Sequence, residues 1–300
     1  MPRNLLSIND LSKADILAIF KRADSFRKQQ TSVTQVDLSK IGGLLFFEPS
    51  TRTRIGFEVA TWKLGVKTVI MQETKLTDTM SKAESMRDTI RTLNPFVTFY
   101  GIRHFDENIF NEVAPFTEHP IINCGNGYQE HPTQALIDAY AMWTKFGRLD
   151  GLNITMIGEL KYARAVHSLL MLLSNFSNIT INEVSPVELQ VQEDYKKLFE
   201  IHDNTYNRST KPRWGNEQVV YVTGFPPKNP SGTFSQVIRD KYKITQAVAE
   251  ALSSDCIILN ALPRIDEIDQ GVDGLPGAYY FKQNELGLSV RMAVIESFCL

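Results

Sequence analysis

Short apolar runs alternate along the chain with segments whose apolar residues return every three or four positions. In order, GGLLFFE (42–48) reads as a strand and TRTRIGFEVATWKLG as a helix, then KTVIMQ as a strand and AESMRDTIRTL as a helix. FVTFYGI is a strand, DENIFNEV a helix, PIINCG a strand, and HPTQALIDAYAMWTKF a long amphipathic helix. The pairing continues with GLNITMIG and ARAVHSLLMLLSNF, ITINEV and VQEDYKKLFEIH, EQVVYVTG and ITQAVAEALS. CIILNAL is a last strand, and SVRMAVIESFCL closes the chain as a helix.

This alternation predicts an α/β fold of two domains, each a parallel sheet flanked by helices, joined by long helices. The helix over about 132–147 connects the two sheets. The opening helix starts at Ser12, with Asp15 three residues on as its capping-box partner. Two stretches are irregular: DNTYNRSTKPRWGNE (203–217) is polar and reads as a surface loop, whereas GFPPKNPSGT (224–233) directly follows a strand. Open α/β sheets bind ligands at the carboxyl ends of their strands, so the second loop carries more interest.

Composition narrows the class. The 300 residues are 43% hydrophobic and 22% charged with a formal net charge of −2, so no global basic field serves a nucleic acid. Three dispersed cysteines, Cys124, Cys256 and Cys299, form no CxxC pair and fit neither a disulfide framework nor a zinc site. No apolar run approaches the length of a membrane span, and the N-terminus has no signal-peptide core, so the expectation is a cytoplasmic protein without membrane or nucleic-acid partners.

The densest chemistry lies in FFEPSTRTR (46–54), a strand-to-helix turn. A helix's first turn offers unpaired N–H groups and partial positive charge. Ser50, Thr51 and Thr53 add hydroxyls and Arg52 a planar fork of donors, which together suit a phosphate-type dianion. On local sequence alone, an ordinary helix cap with solvated arginines explains the turn as well. Arg103 just beyond a strand, and His131 and Gln134 at a helix start with Pro132 in the first turn, add companions at the same sheet edge. A dinucleotide site is disfavoured, because GNG (125–127) lacks the third glycine and no GxxxxGK[ST] loop occurs.

In this order FFEPSTRTR, IRH, HPTQALID, GELKYARAVHSL, LPRIDEI and VRMAV resemble the aspartate/ornithine carbamoyltransferase family over essentially the whole chain. GELKYARAVHSL resembles the aspartate branch, and the ornithine branch's S-M-G and H-C-L-P runs are absent. The resemblance implies a first domain, 1–132 plus 283–300, that binds carbamoyl phosphate and a second, 133–282, that binds the amino-acid acceptor. By motif position, Ser50, Thr51, Arg52 and Thr53 hold the phosphate, and Arg103, His131 and Gln134 hold phosphate or carbamoyl group. Thr53, Arg103 and His131 polarise the carbonyl, and the backbone carbonyl of Leu262 orients the amine, with a cis Leu262–Pro263 bond. Arg164 grips an acceptor carboxylate, and Lys82, in the loop TDTMSKAES, completes the site of the next subunit of a homotrimer. The implied reaction makes N-carbamoyl-aspartate for pyrimidine biosynthesis, without metal or cofactor; regulatory chains are left open.

Several positions depart from that pattern. Ser81 and Ala83 replace a lysine and a glycine beside Lys82. Gly224 and Pro226 stand where the family has an arginine and a glutamine that grip the acceptor. Asn260 and Ala261 replace the first two residues of H-P-L-P. Three readings follow: an aspartate enzyme in which Lys228 or Arg239 supplies the missing cation, a carbamoyltransferase for another amine, or a non-catalytic relative that binds carbamoyl phosphate or serves an assembly. Glu48 reads as a bridge between domains or subunits, Arg264 as pairing across the domains, Asp266 and Glu267 as helix-start or interdomain contacts, and His167 as support for Arg164 or as packing.

Overall fold

A computed structural model describes residues 4–28, 37–72, 84–226 and 230–300. The described elements run α1 (Lys13–Lys28), β1 (Asp37–Phe46), α2 (Thr51–Lys63), β2 (Val66–Gln72), α3 (Met86–Leu93), β3 (Phe99–His104), α4 (Ile109–Val113), β4 (Ile121–Asn126) and α5 (Pro132–Phe146). They continue with β5 (Asn153–Ile157), α6 (Arg164–Leu173), β6 (Thr180–Val184), α7 (Glu193–Phe199), β7 (Thr205–Ser209) and β8 (Val219–Val222). The last are α8 (Gln236–Lys241), α9 (Gln246–Ala251), β9 (Ile257–Leu259) and α10 (Tyr280–Cys299).

The chain divides into two compact units, residues 1–136 with 287–300, and 137–286. The first holds a four-stranded sheet in the order β2-β1-β3-β4, every pair parallel. β3 and β4 are buried at every position, which is why both read as near-continuous apolar runs. Tyr100, Ile102, Leu45 and Phe47 pack with Ile90, Val97, Ile109 and Phe110 into its core. The expected cap of α1 is present: Ser12 N–H donates to Asp15 Oδ2 at 3.1 Å and Asp15 N–H to Ser12 Oγ at 3.2 Å.

The second unit holds a five-stranded parallel sheet in the order β7-β6-β5-β8-β9. Its order reverses at β5, whose neighbours are β6 and β8. There Gly158 takes a φ of 117°, and a Cβ on it would lie 1.9 Å from the Thr223 carbonyl, so only glycine fits.

Three elements differ from the sequence reading. Residues 203–217 are not all loop, because Thr205–Ser209 forms edge strand β7 against β6. Of this polar strand only Tyr206 is buried, too little apolar signal to mark a strand. The last helix begins at Tyr280, nine positions before the apolar run at Ser289 and three before the helix start expected at about 283. α8 was not anticipated either; it starts behind Ser235, whose Oγ accepts the Ile238 N–H.

Candidate active site

In the first unit β1 lies between β2 and β3, so the sheet order reverses there. The carboxyl ends flanking such a reversal are where open sheets take ligands. β1 leads straight into the turn that starts α2, and Ser50 is the residue before that helix, with φ −157° and ψ 98°. Its hydroxyl makes no bond back to the helix, unlike Ser85, which accepts the Asp88 N–H at 3.1 Å in front of α3. Ser50 is therefore placed as a cap without acting as one. Thr51 and Arg52 are exposed in the first turn, and Thr53 is buried.

Arg103 stands in register with Phe46 on the adjacent strand. Its guanidinium donates to Glu48 Oε1 at 2.9 Å and to the Cys124 carbonyl at 3.3 Å, and only 8% of the residue is exposed. His131 and Gln134 follow β4, the next strand over, at the start of α5. His131 is buried, with Nδ1 3.3 Å from the Thr133 hydroxyl. The Ser50–Thr53 turn, Arg103 and the His131–Gln134 pair thus leave the carboxyl ends of three adjacent strands, as the sequence predicts. His104 serves packing: its Nδ1 accepts the Asp106 N–H at 2.9 Å, its ring stacks on Phe105, and burial lowers its pKa.

In the second unit Arg164 opens α6 after β5, one of the two strands at the reversal. His167, one turn along, meets the Lys161 carbonyl at 2.9 Å through Nε2 and stacks on Tyr195 at 4.3 Å, which braces the turn before Arg164. Glu159 is buried beside it and accepts the Tyr162 N–H at 2.8 Å; burial pushes its carboxyl up to about 7. The Thr223 hydroxyl donates to the Glu159 carbonyl at 2.7 Å, tying the ends of β5 and β8 together.

Beyond β8 the space beside Gly224 is filled, since a Cβ there would lie 2.7 Å from Glu267 Oε2. Arg239 does reach this segment and donates to the Phe225 carbonyl at 2.8 Å. Its guanidinium also forks onto Asp266, at 2.7 Å through Nε and 2.5 Å through Nη2. After β9, Leu262 has a φ of 52° and a cis bond to Pro263, the isomer expected. Lys82 and Lys228 lie outside the described residues.

Each of the residues read as a bridge or interdomain contact has a partner within its own unit. Glu48 pairs with Arg103, Asp266 with Arg239, Glu267 with Asn260 at 3.0 Å, and Arg264 with Asp273 at 2.6 Å, each within one unit. The Glu48–Arg103 pair was missed because its members are 55 positions apart and meet only when β1 and β3 align. Among the described residues no group of three or more His, Cys, Asp or Glu side chains is arranged to hold a metal ion, and no helix is long and apolar enough to cross a membrane.

Comparison with known proteins supplies the decisive observation. The family model described as aspartate/ornithine carbamoyltransferase, carbamoyl-P binding domain, matches residues 3–144, and its Asp/Orn binding domain matches residues 150–298. The chain belongs to the aspartate/ornithine carbamoyltransferase family. It is 36% identical over 299 residues to the aspartate carbamoyltransferase catalytic subunit of Methanocaldococcus jannaschii, covering 98% of this chain and 97% of that one. Against the Picrophilus torridus catalytic subunit it is 39% identical over 300 residues, covering 97% and 96%. Among solved structures, the M. jannaschii aspartate transcarbamoylase catalytic subunit superposes with a TM-score of 0.89 at 34% identity over 99% of this chain and 98% of that one. The Trypanosoma cruzi enzyme in complex with carbamoyl phosphate superposes with a TM-score of 0.92 at 30% identity over 99% and 96%. Family members therefore include aspartate enzymes at substantial identity across both units.

Proposed function

We propose that this chain is a carbamoyltransferase that moves the carbamoyl group of carbamoyl phosphate to the amino group of aspartate, giving N-carbamoyl-aspartate and phosphate. One observation carries the reading: in a chain of this family, the uncapped Ser50–Thr53 turn, Arg103 and the His131–Gln134 pair issue from three adjacent strand ends. The first unit then binds carbamoyl phosphate and the second the acceptor.

The first-turn amides of α2, with Ser50, Thr51, Arg52 and Thr53, surround the phosphate with donors and positive potential. Arg103 and His131 polarise the carbamoyl oxygen with Thr53, and Gln134 bonds the carbamoyl group. The acceptor amine attacks the carbonyl carbon, a C–N bond forms, the C–O bond to phosphate breaks, and the amine's proton leaves with the phosphate or to water. Charge grows first on the carbonyl oxygen and then on the leaving group, and donors fixed before reaction stabilise both. Arg164 holds an acceptor carboxylate and the Leu262 carbonyl orients the amine. The working form is a cytoplasmic homotrimer serving pyrimidine biosynthesis, in which Lys82 completes the site of the adjacent subunit.

A second reading, an acceptor with a single carboxylate, is favoured by one feature. Glu267 lies against Gly224, and Arg239, which among the described residues reaches this segment, already forks onto Asp266. The test is ureido-product formation from carbamoyl phosphate with aspartate and a panel of other amino acids. Saturable turnover with aspartate supports the first reading. Turnover only with a monocarboxylate amine supports the second. Silence across the panel overturns both.

A further inference from the structure

At the end of β9 in the second unit stands a buried polar network that none of these roles uses. Asn260 is its centre. Its carboxamide oxygen accepts the Leu262 N–H at 2.6 Å, and its amide nitrogen donates to the Val222 carbonyl at 3.0 Å and to Glu267 Oε1 at 3.0 Å. The other Glu267 oxygen accepts the N–H groups of Ile265 at 2.8 Å and Asp266 at 3.1 Å. The Asn260 main-chain N–H donates to Gln283 Oε1 at 3.1 Å, Gln283 donates to Asp138 Oδ1 at 2.5 Å, and the Tyr221 hydroxyl donates to Asp138 Oδ2 at 2.7 Å. All five side chains are buried.

Leu262 sits in the left-handed region with a φ of 52°, which a residue with a side chain adopts only when its surroundings impose it. The Asn260 carboxamide is bonded to the Leu262 N–H in this conformation. One planar group accepts from Leu262 while donating to the end of β8 and to Glu267, so three chain segments are tied through a single side chain. Few side chains combine those polarities. A leucine there leaves three groups without their partner: the Leu262 N–H, the Val222 carbonyl and Glu267 Oε1. An aspartate keeps an acceptor for Leu262 but faces the Val222 carbonyl and the Glu267 carboxylate with negative charge.

We propose that Asn260 is a positioning residue for carbamoyl transfer: with Glu267 it fixes the Leu262 main chain, and so the carbonyl that orients the acceptor amine. The inference rests on the role given to Leu262 above. Displacing a reacting group by about 1 Å costs on the order of 100-fold in rate.

The test is steady-state kinetics of the full chain as Asn260→Asp, Asn260→Leu and Glu267→Gln, with carbamoyl phosphate and the acceptor varied in turn. Both Asn260 variants are expected to lose roughly 10- to 100-fold in kcat and to raise the acceptor KM, while the carbamoyl-phosphate KM stays within about 2-fold. Glu267→Gln keeps the side-chain shape and remains readable if the Asn260 variants do not fold; it is expected to shift the same two constants by a smaller factor. Wild-type constants in Glu267→Gln, or equal rises in both KM values across the variants, overturn the positioning role. A wild-type chain that transfers carbamoyl to no acceptor overturns the reaction itself and this inference with it, an outcome distinct from active but unaltered variants.

Discussion

Arg103 and Glu48 meet at 2.9 Å at the carboxyl ends of adjacent strands, the guanidinium buried and the carboxylate 29% exposed. The pair holds the Arg103 guanidinium in place at the end of β3, next to the strand that leads into the Ser50–Thr53 turn. Arg103→Ala is expected to lower kcat/KM for carbamoyl phosphate by about 100- to 1,000-fold. Glu48→Gln leaves Arg103 charged but loosely held, and its kcat/KM should fall by roughly 10-fold with little change in protein concentration dependence. Steady-state kinetics of both variants checks the order.

Ser50 separates function from stability. Because its hydroxyl does not cap α2, Ser50→Ala should leave the unfolding free energy within about 0.5 kcal/mol of the wild type while weakening carbamoyl-phosphate binding. Ser85→Ala removes a real cap and should cost about 1 kcal/mol. Urea unfolding beside calorimetric titration of carbamoyl phosphate reads both quantities; a Ser50 variant destabilised like the Ser85 variant contradicts the assignment.

Gly56, on α2, faces the buried Arg291 of α10: a Cβ on it would lie 2.8 Å from the guanidinium carbon. Gly56→Ala should gain helix propensity yet lose about 1–3 kcal/mol through overpacking. The expected readout is a melting temperature several degrees lower, by calorimetry.

Glu159 makes stability depend on pH. Burial lifts its carboxyl from 4.5 to about 7, so the folded chain keeps a proton that the unfolded chain releases. Its contribution to stability is therefore present at acidic pH, declines as pH rises from about 4.5 to 7, and is gone above that window. Glu159→Gln removes the proton linkage while keeping an acceptor for the Tyr162 N–H. The variant should be more stable than the wild type at pH ~8 by roughly 1–3 kcal/mol, with the gap closing toward pH ~5. Melting curves across that range decide it.

The amino-acid sequence by itself determined most of the alternation of strands and helices, because strands such as β3, β4, β8 and β9 are buried at every position and read as apolar runs, while a helix such as α1 buries one face. It also determined the Ser12–Asp15 cap and the donor-rich turn at Ser50–Thr53, since both are local: their partners lie within a few residues. The edge strand Thr205–Ser209 escaped it, for an edge strand is held by main-chain bonds to β6 and needs little apolar sequence. Only the tertiary structure decided that Arg103 is clamped by Glu48, that Glu267 fills the space beside Gly224, and that Asn260 binds the ends of β8 and β9 to Leu262. Those contacts join residues that are distant in the chain or turned inward by a tight bend. Their partners are chosen by strand order and register, which no window of sequence contains.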